Sequence, residues 1–551
     1  MNYFSSVSFS SSEDPQDLSD IVESATEVGF QFHEVKLNDL ILAVAHFKSK
    51  ATGSDEIPHS VIAKSLPTLG PFLVQFFNQS FKEGTFPSAW KKAVLIALKK
   101  VSIPASPSDF RPIALLCFLS KVLEKLAHDQ LILFLNNNKI LDPLQTGFRQ
   151  YSSTETALLK LTDDIRIGIS NRLITVLLQF DFSKAFDTVS PSKLLKKLSR
   201  MGFSKSALRW LKSYLENRKL QVLFKSSYSQ ECDINLGVPQ GSVLGPLLFC
   251  LYINDVKDHL SDGVFRLLYA DDLQVYVQVP PESIIEALAT LSSIARSITN
   301  WANKVALRLN QNKTRAIYFA SSAFVDKLDK LKLSGVDMGN GVIVPFVSEV
   351  KSLGVVLDSK LSWEPQVISI EKKVNRVLYT LRFIRHCTSE NLRRRLVQAL
   401  IIPHLDYCSV LLLDAKTSLK ERIQRLSNSG IRYIFCIRKD THVSPYRLKL
   451  GWLSMDSRRL YFCAIIIYKI LRMNQPTYLT EFFTKYTPKE TARGHSQTKE
   501  LVLSHVVKGR GALSLQVFGV SFWNTIPSTI RFLPSLNRFK SALFKHLALN
   551  M

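Results

Sequence analysis

Two aspartates, Asp271 and Asp272, stand side by side in "LLYADDLQVYV" (267–277). Apolar residues run up to them and resume at once beyond. A third, Asp181, stands near the end of the apolar run "RLITVLLQFDF" (172–182). Like charges side by side in an otherwise buried setting are costly unless something pairs them. If the strands that carry them are neighbours in one sheet, the three carboxylates meet at one edge. Hard divalent cations with oxygen ligands neutralise such a set, and Mg²⁺ is the usual choice where substrate phosphates complete the shell. Two such ions, about 3.5–4 Å apart, clamp the attacking and leaving oxygens of a phosphoryl transfer. An isolated "ADD" is more often a solvated hairpin turn, Asp being a common turn former. The flanking sequence is what shifts the weight.

A second stretch, "LGVPQGSVLGPLLFCLYIND" (236–255), places Gly237, Gly241 and Gly245 with Pro239 and Pro246 ahead of a strongly apolar helix. A backbone without bulk lets a flat ligand approach the main chain closely. Gln240 is the polar group within it. Any shorter fragment of this stretch reads as a turn before a core helix.

The elements that must position these residues follow from periodicity. "RLITVLLQFDF" is β-branched and nearly continuously apolar, as a buried central strand is. "FRLLYADD" and "LQVYVQV" read as two strands around a tight turn made by the acids. A helix is expected at "SPSKLLKKLSRMG", with Ser190 as N-cap, Pro191 as first helical residue and Gly202 as stop. "SKVLEKLAHDQLILFL" repeats its apolar residues at three and four, the pattern of an amphipathic helix.

The 551 residues exceed what one core can organise, and a length prior gives about three to four domains. The net charge of +25 favours a polyanionic partner, nucleic acid before an anionic membrane. No apolar run is long enough to span a bilayer, and the N-terminus lacks a secretory pattern. The seven cysteines form no CxxC and read as reduced thiols in an intracellular protein, placed in nucleus and cytoplasm.

"SDFRPIALL", "QTGFRQYSSTETAL", "FDFSKAFDTVS", "GVPQGSVLGPLLF", "YADD", "LNQNKT" and "KSLGVVLDSKLSW" occur in that order. Together they resemble the ordered motifs of reverse transcriptases from non-LTR (LINE-type) retrotransposons of the jockey kind. "KATGSDEIP" and "GTFPSAWKKA" resemble the segment upstream of those motifs, and "ALIIPHLDYCS" and "VSFWNTIPSTIRFLPSLNRFKSAL" the tail after them. The resemblance covers roughly 36–549.

That resemblance implies an α+β right-hand polymerase, with fingers, a ferredoxin-like palm, a thumb and a mostly helical C-terminal extension. It implies a leader over 1–35, an N-terminal fingers extension over 36–95, fingers and palm over 96–358, a thumb-like region over 359–435 and a basic helical region over 436–551. The implied activity is RNA-directed DNA synthesis from a primer 3′-OH with deoxynucleotides, RNA template, DNA primer and two Mg²⁺, with Mn²⁺ as substitute. Oligomeric state stays open.

Residue by residue, Asp181, Asp271 and Asp272 match the metal carboxylates, and Phe182 matches a residue whose carbonyl contacts one metal. Phe186 matches the aromatic under the incoming sugar. Gln240 and Gly241 match the loop against nucleotide and template. Arg111 matches an arginine that holds the triphosphate, a task suited to a guanidinium fork. Arg149 matches a template or nucleotide contact. Lys313 matches a lysine that protonates leaving pyrophosphate.

Asp187 reads as a helix-start or hydrogen-bonding residue, and Tyr269 and Phe180 as strand packing. "RRR" at 393–395 reads equally as a solvated face or a nucleic-acid contact. The strand "VLIALKKVS" lacks the family's proline, which bears on Lys99 and Lys100. No room is expected for the endonuclease of full-length elements, and no ribonuclease H pattern is visible. Two rival readings are a catalytically silent nucleic-acid-binding copy and a group II intron-type maturase.

Overall fold

The computed structural model describes residues 15–48, 51–224, 227–485, 500–502 and 509–549. The chain was expected to begin with a loose leader. Its first fourteen residues lie outside the described residues, but from Pro15 onward it is docked. Helix α1 (Pro15–Glu23) buries Ile21 and Val22. Phe30 then pairs its backbone with Gly202 and Ser204, and its ring sits among Phe32, Phe134 and Phe203. The Ser-rich, acidic composition suggested a solvated leader. Four spaced apolar side chains override it.

Strand β1 (Lys92–Lys99) pairs antiparallel with β2 (Phe110–Leu115). Helix α2 (Phe118–Asn137) follows as its apolar spacing requires. Helix α3 (Thr154–Ser170) leads to β3 (Ile174–Phe180), whose apolar side chains are fully buried. After β3 come α4 (Pro191–Arg200), capped by the Ser190 hydroxyl accepting from the Lys193 N–H at 3.2 Å, and β4 (Arg218–Phe224), which joins β1 in parallel. Helix α5 (Gly245–Tyr252), strands β5 (Phe265–Tyr269) and β6 (Asp272–Val279), helix α6 (Ile284–Lys304) and β7 (Arg315–Phe319) complete the central part.

The central sheet runs β5-β6-β3-β7, every pair antiparallel, so β3 is an inner strand as expected. Successive side chains of β3 point to opposite faces. Val176, Leu178 and Phe180 enter one core with α4, α5 and α6, while Leu177 enters a second core. That second core contains α3, the hairpin β8 (Glu349–Ser352)–β9 (Val355–Asp358), and helices α7 (Glu364–Phe383), α8 (Thr417–Phe435), α9 (Met455–Met473) and α10 (Leu536–Leu549). It continues without a break across residue 436, so no separate core marks the boundary drawn there. No described helix is long and apolar enough to cross a membrane.

Candidate active site

The register of the two inner strands builds the acidic edge. Phe180, the last residue of β3, stands opposite Leu273, the second residue of β6. Asp181 follows the one and Asp272 precedes the other, so the same step beyond the paired residues carries both carboxylates. Asp271 sits in the two-residue turn between β5 and β6, beside Ala270 in the left-handed region at φ 56°. The acids were expected to make the turn together. Asp272 instead opens β6, paired with Tyr269, and Asp271 alone shares the turn with Ala270.

Asp181 is pinned on its far side. Its carbonyl accepts from the Asn310 N–H at 2.7 Å, and the Ser183 N–H donates to the Arg308 carbonyl at 2.8 Å. Antiparallel partners alternate in the direction of their backbone groups. Phe182, opposite Leu309, therefore turns its own N–H and carbonyl to the other edge, where the β5–β6 turn lies. The loop that pins Asp181 also carries Lys313, whose Nζ stands 3.9 Å from Asp181 Oδ2. Arg111, exposed on β2, is close enough to favour the charged form of Asp271.

The Gly/Pro loop joins three elements. The Ala114 N–H of β2 donates to the Gln240 carbonyl at 3.0 Å, and a Cβ on Gly241, at φ 100°, would meet the Ala114 carbonyl oxygen at 2.6 Å. The Val238 N–H donates to the Phe186 carbonyl at 2.9 Å. Gln240 Nε2 donates to Asp187 Oδ1 at 2.7 Å, so Asp187 is a hydrogen-bonding residue as expected. The close approach that glycine allows at Gly241 is thus taken up by protein backbone rather than left to a ligand. From beneath, the buried Glu124 accepts the Val243 and Leu244 N–H groups at 2.8 and 3.2 Å.

Phe186 is half-buried in a run of rings. It stacks on Phe249 at 4.3 Å and meets the exposed Phe148 edge-on at 6.0 Å. Arg149, one residue further, does not join the acids: its Nη1 donates to the Asp142 carbonyl at 3.1 Å. Sequence reasoning missed three glutamines. Gln179 and Gln274 lie two residues from Asp181 and Asp272, hence on their face of the sheet. They face each other across β3 and β6 and bond to Lys351 and Ser352 of the β8–β9 hairpin. Gln145, in the "QTGFRQ" stretch, bonds directly to the turn. The period of two could have revealed the first pair; only the folded chain shows the third.

Burial, then the neighbouring Asp271 and Asp181, pushes Asp272 up to about 6. Burial and Asp181 also raise Asp271. Neighbouring carboxylates that resist joint ionisation suit a hard cation brought in with its own ligands. No group of three or more His, Cys, Asp or Glu among the described residues forms a ready-made metal site. An all-oxygen set short of a full cage fits Mg²⁺, which is commonly held by one or two carboxylates, waters and substrate phosphates.

An antiparallel sheet with an acidic edge, a lysine beside it and an arginine-bearing strand facing it can hold divalent cations together with a phosphorylated ligand. Residues 98–357, which contain all of these, match the family described as reverse transcriptase (RNA-dependent DNA polymerase). It is 28% identical over 443 residues to the probable RNA-directed DNA polymerase from transposon BS of Drosophila melanogaster, covering 78% of this chain and 48% of that protein. It is 28% identical over 359 residues to the RNA-directed DNA polymerase from mobile element jockey of the same species, 64% of this chain and 38% of the relative. The X-element polymerase of that species is 28% identical over 400 residues, 71% and 43%. The chain spans less than half the length of these relatives.

Proposed function

We propose that this protein is an RNA-directed DNA polymerase of a non-LTR retrotransposon, adding deoxynucleotides to a primer 3′-OH on an RNA template. The observation that carries this is the β3–β6 register, which sets Asp181 and Asp272 side by side with Asp271 in the adjoining turn, inside the segment that matches the family. The strand–helix–strand–strand–helix–strand order of the central sheet supports a ferredoxin-like palm. The β2-β1-β4 sheet is read as fingers and α7 with the helix after it as thumb.

Asp181, Asp271, Asp272 and the Phe182 carbonyl would hold two Mg²⁺. Bound there, the ions supply charge neutralisation at the attacking and leaving oxygens. The chain's own groups do the rest. Arg111, facing Asp271 from β2, binds the triphosphate through its guanidinium fork. Lys313, beside Asp181, is placed to give its ammonium proton to the leaving pyrophosphate oxygen. Phe186, braced by Phe249, lies beneath the sugar and leaves no room for a 2′-hydroxyl. Gln240 and Gly241 hold the fingers strand to the turn that carries Phe186, and so fix the nucleotide pocket rather than touch the nucleotide's charge. Arg149 acts through the loop it braces.

Template and primer binding rests on the excess positive charge. With about five phosphates neutralised, affinity on duplex falls with salt at a log–log slope near −4 to −5. A filter-binding titration across salt concentrations reads this slope, and an affinity indifferent to salt would count against a nucleic-acid cleft.

A further inference from the structure

We infer that Gln145 is a positioning residue: from outside the sheet it fixes the Ala270–Asp271 turn, and with it the Asp271 carboxylate. Gln145 is buried, and its Oε1 accepts from the Ala270 N–H and from the Gly147 N–H, each at 3.1 Å. Its Nε2 donates back to the Ala270 carbonyl at 3.4 Å. Both backbone groups of the residue before Asp271 are therefore held by one side chain. That residue needs holding. Ala270 is in the left-handed region, which is unfavourable for a residue with a Cβ, and such a conformation persists only where its surroundings over-determine it.

The segment around Gln145 is built for the task. The Leu268 N–H donates to the Leu144 carbonyl at 3.1 Å, and the Thr146 N–H and hydroxyl both donate to the Leu268 carbonyl at 2.7 Å. Leu144–Thr146 thus extends the sheet by one short parallel pairing along the free edge of β5. Its upstream end is fixed by Asp142, which takes the Arg266 guanidinium at 2.7 and 3.1 Å. Its downstream end passes so close to the turn that a Cβ on Gly147 would lie 2.2 Å from the Ala270 nitrogen. Glutamine alone suits the central position. Asparagine is one methylene too short, leucine offers no polar group, and an ionised glutamate cannot donate to the Ala270 carbonyl and would set another charge beside Asp271.

The activity arm of the test rests on the proposed polymerase reading; the structural arm does not. Gln145→Leu removes the clamp and keeps the volume. Gly147→Ala keeps the Gln145 side chain but drives a Cβ against the Ala270 nitrogen, displacing the turn from its clamp, and serves if the first variant does not fold. Thr146→Val is the control, losing one bond to the same strand without touching Ala270. Hydrogen exchange on a peptide covering 268–273 should quicken by about tenfold or more in Gln145→Leu and Gly147→Ala, and little in Thr146→Val. Primer extension should lose about tenfold to a hundredfold in kcat in those two variants, with KM for deoxynucleotide and primer–template affinity nearly unchanged. Thr146→Val should stay within about threefold of the parent. Unchanged exchange at the turn, or turnover in all three variants falling in step with stability, overturns the inference. Exchange that quickens in the two variants as described, with a parent that extends no primer, overturns the polymerase reading instead.

Discussion

Two clusters of acids in this molecule are answered in different ways. One is the edge formed by Asp181, Asp271 and Asp272. The other is the pair Asp163 and Asp414, buried where α3 meets the helical C-terminal part. The buried pair is fully answered from within the chain. Arg166 donates to Asp163 at 2.8 Å and to both Asp414 oxygens at 2.9 Å, Trp363 Nε1 donates to Asp414 at 2.7 Å, and the Leu515 N–H donates to Asp163 at 2.6 Å. Among the described residues, the cations that answer the edge acids are Lys313, 3.9 Å from Asp181, and Arg111, whose field reaches Asp271. A buried charge kept for structure finds its partners in the same molecule. A charge kept for chemistry is left for partners that arrive from outside.

The comparison breaks most sharply at Asp271. Asp271→Asn removes charge and little volume, so the fold should persist while turnover falls on the order of a thousandfold or more. Purified variant and parent, compared by single-turnover extension, decide it; a rate within about tenfold of the parent would remove Asp271 from the metal ligands.

The opposite substitution belongs to the other cluster. Arg166→Met leaves Asp163 and Asp414 buried without their cation, and should cost about 3–5 kcal/mol in denaturant unfolding. An unchanged midpoint would show that the network carries no stability.

Phe186→Val tests whether the edge's neighbour is chemical or structural. As a sugar gate, its loss should relax discrimination against ribonucleotides by roughly 2–4 kcal/mol while deoxynucleotide use survives. Deoxy and ribo incorporation falling together, with a cavity cost of about 1–4 kcal/mol, would make Phe186 a packing residue on Phe249.

The smallest effect concerns Asp272 without metal. Its folded-state value near 6 lies above that of an ordinary carboxylate, so the folded protein takes up this proton more readily than the unfolded chain. Its contribution to stability is therefore lost as pH rises from about 4 to 6. Asp272→Asn should stabilise the metal-free protein at neutral pH by about 1 kcal/mol, discounted for partial exposure, and lose that advantage in acid. Melting curves at acid and neutral pH read the difference.

Much of this was legible in the residues. The β-branched run ending near Asp181 gives an inner strand, and Ser190-Pro191 gives a capped helix. What stayed hidden are effects that need two distant segments. The Gly loop reads as a place for a ligand until β2 is seen against Gly241. Arg149 reads as a template or nucleotide contact, and nothing in the sequence shows that its guanidinium also reaches the Asp142 carbonyl. The polar leader reads as solvated until Phe30 is seen among aromatic neighbours. Gln145 carries no periodic or charge signal, because the Ala270 backbone groups that it holds lie well over a hundred residues away.

One measurement bears on all of it: extension of a labelled DNA primer annealed to RNA, with deoxynucleotides, by purified parent and Asp271→Asn in the presence and absence of Mg²⁺. Extension by the parent should require the ion and the four nucleotides, and the variant should extend nothing above background. Extension that survives Asp271→Asn, or a folded parent that binds the hybrid and adds no nucleotide, would contradict it.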